Sequence, residues 1–358
     1  MAVRKKWSII LAGVAVGLVA IGLGAFGNPA NMAICVACFI RDTAGALGLH
    51  RADPVQYIRP EIIGIVLGAF IIGLINKEFK PTGGSSPFTR FALGMCVMVG
   101  AMVFLGCPTR MVMRIAGGDV NAAIGLVGFV SGILTGIVFL NKGFSLKRSY
   151  EQQTVEGLGM PVVSVLLLIL VIASPAFIFF SESGPGSQHA PLLISLAGGL
   201  VIGVVGQQSR LCFVGGIRDA VLFNEYRMLI AFAAILVTVL LGNVAAGTFS
   251  LGIEGQPIAH TEWIWNILGL YMVGLGSVML GGCPLRQLVL TSGGNSDAGV
   301  TVLGFLFGAA ICHNFGLSSS GAGTTANGRI GLVICIVISL SIAVLNISKK
   351  RKTTEVTA

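Results

Sequence analysis

Two stretches of this sequence put a glycine, a thiol, a proline and an arginine together among apolar residues: "GCPTR" (106–110) and "GCPLR" (282–286). Cysteine brings a weak S–H donor and a soft, polarizable sulfur. Arginine stays charged in any protein environment and presents a planar fork of donors that suits oxyanions. A proline directly after the cysteine fits the first turn of a helix, where its missing N–H has no partner anyway. A half-helix starting at Pro108 or at Pro284 would present free N–H groups and the positive end of its dipole. Thiol, cation and helix N-terminus together form a place for an anion.

The two stretches belong to a longer duplication. Residues 100–129 align without gaps to 276–305, pairing Cys107 with Cys283, Pro108 with Pro284 and Arg110 with Arg286. Upstream at nearly the same offset, "CVACFIRD" (35–42) matches "CFVGGIRD" (212–219), pairing Cys35 with Cys212 and Arg41-Asp42 with Arg218-Asp219. The four repeat-related cysteines and the two arginines after the prolines are the expected substrate path. Intramembrane charges are costly and are functional hypotheses by default. The competing reading of Arg110 and Arg286 is a charge tied to carbonyls at a helix break. The Arg-Asp pairs read as braces for the segments that carry them. Cys38 makes a C-x-x-C with Cys35, a spacing compatible with a redox dithiol or a metal site, but no second pair or histidine cluster supports a metal. Cys96, Cys312 and Cys335 sit inside apolar runs and read as packing residues. Asp119 and Asp297 read as helix caps. His313 reads as a core histidine, with a proton relay as the sharper alternative.

These residues are held by a chain that is 54% hydrophobic and 10% charged. Soluble domains carry about 25% charged residues. The fold class is an all-α polytopic membrane protein. Apolar runs near 7–26, 61–76, 88–106, 121–140, 161–180, 191–206, 228–249, 263–281, 297–316 and 329–347 give about ten spans. Segments 31–50 and 208–223 are too short or too polar to cross and read as re-entrant pieces. Every lysine lies in one of four places: Lys5 and Lys6; Lys77 and Lys80; Lys142 and Lys147; Lys349, Lys350 and Lys352. The ten-span count puts all four on one side, which the positive-inside rule makes cytoplasmic, together with both termini. Nucleic acid is therefore not the partner that the net charge of +9 suggests. The two copies, about 7–140 and 191–316, cross in opposite senses, and inverted repeats are a transporter architecture. Spans 161–180 and 329–347 lie outside the duplicated unit, and the whole chain forms a single membrane domain.

The twin Gly-Cys-Pro and Cys…Ile-Arg-Asp motifs resemble the YeeE/YedE family of sulfur-transport membrane proteins. The stretch 27–62 resembles the YedE-related proteins of selenium metabolism. The resemblance implies an inverted-repeat bundle with short half-helices meeting at a constriction, and cysteines that pass thiosulfate along by S–H hydrogen bonds. Cys107 and Cys283 match the Gly-Cys motifs, and Cys212 in "RLCF" matches an Arg-x-Cys-Phe motif with Arg210. The first copy has Ala33 in place of that arginine. The expected function is a permease of the inner membrane for a sulfur- or selenium-containing anion, not an enzyme, with no cofactor. The alternative is a redox or sulfur/selenium-transfer protein using thiolate chemistry, which would release its cargo to a cytoplasmic carrier protein. No nucleotide-binding loop is present in the sequence, so a gradient or trapping inside the cell must supply the energy.

Overall fold

Twenty apolar residues in a row have one stable fate in lipid. Every backbone N–H and C=O must be paired within the segment, so the segment becomes a helix. The computed structural model describes residues 2–347, with side chains from Ser8 onward. Among these residues ten helices are long and apolar enough to span: α1 (Ala2–Ala25), α3 (Pro60–Ile75), α4 (Pro87–Phe104), α6 (Val120–Asn141), α7 (Thr154–Ala173), α8 (Leu192–Ser209), α10 (Arg227–Ala245), α11 (Trp263–Leu280), α13 (Ser296–Asn314) and α14 (Ala326–Leu345). Four short helices complete the set: α2 (Val36–Ala46), α5 (Pro108–Ala116), α9 (Phe213–Phe223) and α12 (Pro284–Ser292). The all-α polytopic class and the ten spans are as the hydropathy reads them. The lysines of the C-terminal tail and the side chains of Lys5 and Lys6 lie outside the described residues.

One span is displaced. The sequence places it at 161–180, whereas α7 runs from Thr154 to Ala173 with Pro161 inside it. The segment before Pro161 carries a single charge, Glu156, and continues the helix. At the other end Ser174 adopts a left-handed conformation (φ 42) and Pro175 follows. The apolar residues after it leave the helix, and Phe179 donates its N–H to Ala46 O at 2.9 Å, at the end of α2.

Alternating crossings put the loops 76–86, 142–153 and 224–226 on one side, the lysine side, and 47–59, 174–191, 246–262 and 315–325 on the other. Contacts agree with this. The turn at Gly117–Asp119 pairs with Ser250–Gly252 on the lysine-free side, while Gly293–Asn295 pairs with Lys80–Thr82 on the lysine side. The equivalent turns of the two copies therefore end on opposite faces.

The most extensive helix contacts join one copy to the other: α6 with α11, its counterpart α4 with α13, α3 with α8, and its counterpart α1 with α10. Small residues allow the close approach, as at interfaces between membrane helices generally. A side chain at Gly128 of α6 would meet the Ile267 backbone of α11, and one at Gly199 of α8 would meet the backbone of Glu61 and Gly64 on α3. Helices α4 and α11 are central: with the short helices that follow them, the most apolar stretches of Pro87–Ala116 and Trp263–Ser292 are 83% and 78% buried. Helices α7 and α14 turn Ile169, Ile172, Ile334 and Val337 outward, as a lipid contact requires.

The close approach predicts that Gly128→Leu destabilises the fold by at least about 1–3 kcal/mol, the cost of overpacking. Gly22 has open space around it, so Gly22→Ala should leave stability unchanged. Size-exclusion profiles of heated, detergent-solubilised protein measure both; equal melting midpoints would contradict the packing described.

Candidate functional site

A polypeptide that stops being helical in the middle of a membrane leaves N–H groups without partners. Here each of the four short helices begins at such a break, and each is N-capped by one of the repeat-related cysteines: α2 by Cys35, α5 by Cys107, α9 by Cys212 and α12 by Cys283. In two of them the sulfur does the capping. Cys35 Sγ accepts from Cys38 N at 3.4 Å and Cys212 Sγ from Gly215 N at 3.2 Å. In the other two Pro108 and Pro284 occupy the first turn, as the motif predicts. Leu105 (φ 63) and Gly281 (φ 83), repeat equivalents, end α4 and α11 in the left-handed conformation.

The C-terminal ends of α2 and α5 run to the lysine-free side and those of α9 and α12 to the lysine side. Their N-termini therefore face inward from both directions, with all four cysteines buried. Cys35 Sγ lies 3.9 Å from Cys107 Sγ, and Cys212 Sγ accepts a long contact from Cys283 N at 3.5 Å. Within each copy the two motif cysteines meet. Four dipole ends directed inward, each beside a thiol, favour negative charge at the breaks.

The copies differ in how their arginines are used. Arg110 is fully buried and donates to carbonyls of Asn31 (3.2 Å), Ile258 (2.9 Å) and Leu105, and to Cys38 Sγ at 3.6 Å. It ties the first break together. Arg286 instead borders a cavity of about 570 Å³ near the lysine side, with a buried Nη1 that has no partner. The cavity is also lined by Arg210, Arg218, Arg227 and Cys212, against the two acids Asp219 and Glu225. At the second break Gln287 takes over the tying role, donating to Leu280 O at 3.0 Å and Gly282 O at 3.3 Å. A second cavity, about 500 Å³, opens near the lysine-free side; Asn28, Asn31, Ala33, Met113 and Gln256 border it, and no charged residue does.

The braces are also unequal. Asp42 accepts from Arg41 and from Arg59, each at 2.7 Å, all three buried. Arg59 also holds the carbonyls of Pro185 and Gln188. The counterpart Arg218–Asp219 pair, 2.8 Å, stands partly exposed in the cavity wall. Arg114, which the motifs left without a role, is buried in a 2.6 Å pair with Asp119. Asp119 caps α6, as read from the sequence, through Asn121 N at 2.9 Å. Asp297 does not cap α13. Asn295, the aligned partner of Asp119, does so through Ala298 N, and Asp297 accepts from Gly84 N, Ser85 N and Ser149 Oγ. Cys96 and Cys312 are packed in α4 and α13, and Cys335 is half-buried in α14. His313 stacks on His50 with ring centroids 4.5 Å apart.

Residues 208–348 match the family model described as Sulphur transport. The thiosulfate transporter TsuA of Escherichia coli (strain K12) is 34% identical over 95 residues, 26% of this chain and 26% of that protein. The match thus spans about a quarter of the relative's length.

The geometry predicts unequal thiol access. Cys212 borders the arginine-lined cavity, whereas Cys35 and Cys107 have no exposed surface. A membrane-impermeant maleimide applied from the lysine side should label Cys212 first, read by peptide mass spectrometry. First labelling of Cys35 or Cys107 from that side would contradict the arrangement.

Proposed function

We propose that this chain, a member of the YeeE/YedE sulfur-transport family by its match over 208–348, is a permease that carries a sulfur-containing anion of the thiosulfate kind across the cytoplasmic membrane. The single observation that carries the reading is the cysteine at the N-cap of each of the four inward-facing short helices. An anion at those breaks meets backbone N–H groups, the positive ends of helix dipoles and S–H donors, with no site so strong that it traps the ion. Conduction needs that balance between entry and release.

The path runs from the uncharged cavity by Asn28 and Asn31, past Cys35 and Cys107, to Cys283 and Cys212, and out through the arginine-lined cavity. Arg286 is the cation that offsets desolvation of the anion, because its Nη1 is free. Arg110 holds the first break in shape. Arg210 and Arg218 draw the anion toward the exit. The lysine side is the cytoplasmic side under the positive-inside rule. A larger chalcogen polarises more readily, so a selenium-bearing anion fits the same thiols, and the resemblance of 27–62 to selenium-linked proteins motivates its inclusion as a substrate.

A second reading is favoured by the crowding of Cys35, Cys38 and Cys107, with Cys35 and Cys38 sulfurs 2.7 Å apart. A thiolate there attacks the outer sulfur of thiosulfate, forming a new S–S bond. The old S–S bond breaks with its electron pair on departing sulfite, and a cysteine persulfide remains for a cytoplasmic carrier.

Radiolabelled uptake into proteoliposomes separates the two. Cys107→Ser and Cys283→Ser should each lower thiosulfate uptake roughly tenfold, the effect of about 1.4 kcal/mol, and Arg286→Gln should lower it further than Arg210→Gln. Unchanged uptake in both cysteine variants would sink the permease path. A mass gain of one sulfur on Cys35 or Cys38 during turnover would favour transfer instead.

A further inference from the structure

Four carboxylates are buried among the described residues: Asp42, Glu61, Asp119 and Asp297. Three have an arginine close by. Asp42 has Arg41 and Arg59, Asp119 has Arg114, and Arg90 lies 3.9 Å from Asp297. Glu61, in the first turn of α3, has none. Its Oε1 accepts from Asn28 Nδ2 at 2.7 Å and from Ser195 Oγ at 3.1 Å, while its Oε2 is buried with no partner. The residue is 0% exposed. An ionised carboxylate with one bare oxygen is costly in a low-dielectric interior. A proton on Oε2 removes the charge.

From this geometry, and resting on the permease reading above, we infer that Glu61 is a proton-binding site that couples anion entry to the proton gradient. Asn28 Nδ2 points a hydrogen at Oε1, and Ser195 Oγ offers its one hydrogen to Oε1 or to Ala190 O at 3.3 Å, which disfavours a metal cation there, so the coupling ion is the proton. One amide connects the site to the path. Asn28 Nδ2 also donates to Ala33 O at 3.0 Å, in the segment leading into Cys35, and Asn28 borders the cavity near the lysine-free side. Its Oδ1 meanwhile accepts from Ala190 N at 2.8 Å. Losing or gaining the proton at Glu61 changes the pull on that amide, and through it the position of the chain before Cys35.

The neighbouring charges do not compensate Glu61. Tyr57 and Arg59 lie just before α3, and Arg59 is committed to Asp42 and two carbonyls. His189, before α8, stacks on Tyr57 with centroids 4.0 Å apart. On α2, Arg41 and Asp42 pair with each other. Helix α8 and the segment 26–34 contain no ionisable residue. Glu156 of α7 and Arg286 of α12 belong to the lysine-side half. Energetically the device has a purpose: a dianion entering a negative-inside cell moves against the membrane potential, and a co-moving proton offsets part of that opposition.

The test uses proteoliposomes and radiolabelled thiosulfate. Acid outside should raise wild-type initial uptake roughly fivefold or more, the low end of an ordinary coupling free energy. Glu61→Gln should lose that response yet keep thiosulfate–thiosulfate exchange, and Glu61→Asp should regain part of it. An equal gradient response in Glu61→Gln, or wild-type uptake driven by sodium and indifferent to pH, overturns the inference alone. Wild-type vesicles that neither import nor exchange thiosulfate overturn the permease reading and this one with it. Independently of any variant, dicyclohexylcarbodiimide, which attacks protonated buried carboxyls, should modify Glu61 in the wild-type protein, and more at lower pH. Absence of that adduct also overturns it.

Discussion

Inside a bilayer a helix cannot begin without a reason, because the first four N–H groups of a helix have no intrahelical partner and no water is at hand. This molecule places four such beginnings in its interior and puts a cysteine at each N-cap. The rest of the structure serves that constraint. Broken helices supply the inward-facing ends, the long helices around them seal the breaks from lipid, and glycine-lined contacts between the two copies hold the halves together. A sulfur is a suitable cap here. At Cys35 and Cys212 it accepts a backbone donor, and only weakly, at 3.4 and 3.2 Å.

The duplication gives the architecture, and departures from it divide the labour. In the first copy three buried arginines lock the local structure: Arg59 and Arg41 on Asp42, and Arg114 on Asp119, while Arg110 binds carbonyls from three parts of the chain. In the second copy the Arg218–Asp219 pair is half-open, Gln287 does the tying, and Arg286 faces a cavity. The first copy is a rigid frame around its thiols, and the second copy presents charge. A basic cavity on one side and an uncharged one on the other fit a path with a direction.

Much of this was legible in the sequence. Hydropathy located the spans because the bilayer imposes a single solution, and Gly-Cys-Pro located two of the breaks because proline favours a first helical turn. The repeat then pointed to Cys35 and Cys212, which no proline marks. Other features were hidden for physical reasons. Arg110 and Arg286 stand in near-identical local sequences. What separates them is tertiary, since the carbonyl of Ile258 reaches Arg110 from a distant loop. The capping role assigned to Asp297 belongs to Asn295, which the alignment pairs with Asp119. The span at 161–180 was displaced because the apolar run continues past Ala173, where the helix ends at Ser174 before Pro175, while its N-terminal turn holds the charged Glu156. Glu61 belongs to no motif in the sequence; only its burial and the unpartnered Oε2 single it out.

The central claim is that an anion resides where the cysteine-capped helix ends and the free arginine meet. An experimental structure of the protein with a selenium-bearing thiosulfate analogue, located by its anomalous scattering, tests this most directly. The account predicts selenium density beside the N-termini of α9 and α12, within contact of Cys212, Cys283 and Arg286. Density confined to the lysine loops, or bound away from every one of the four cysteines, would contradict it.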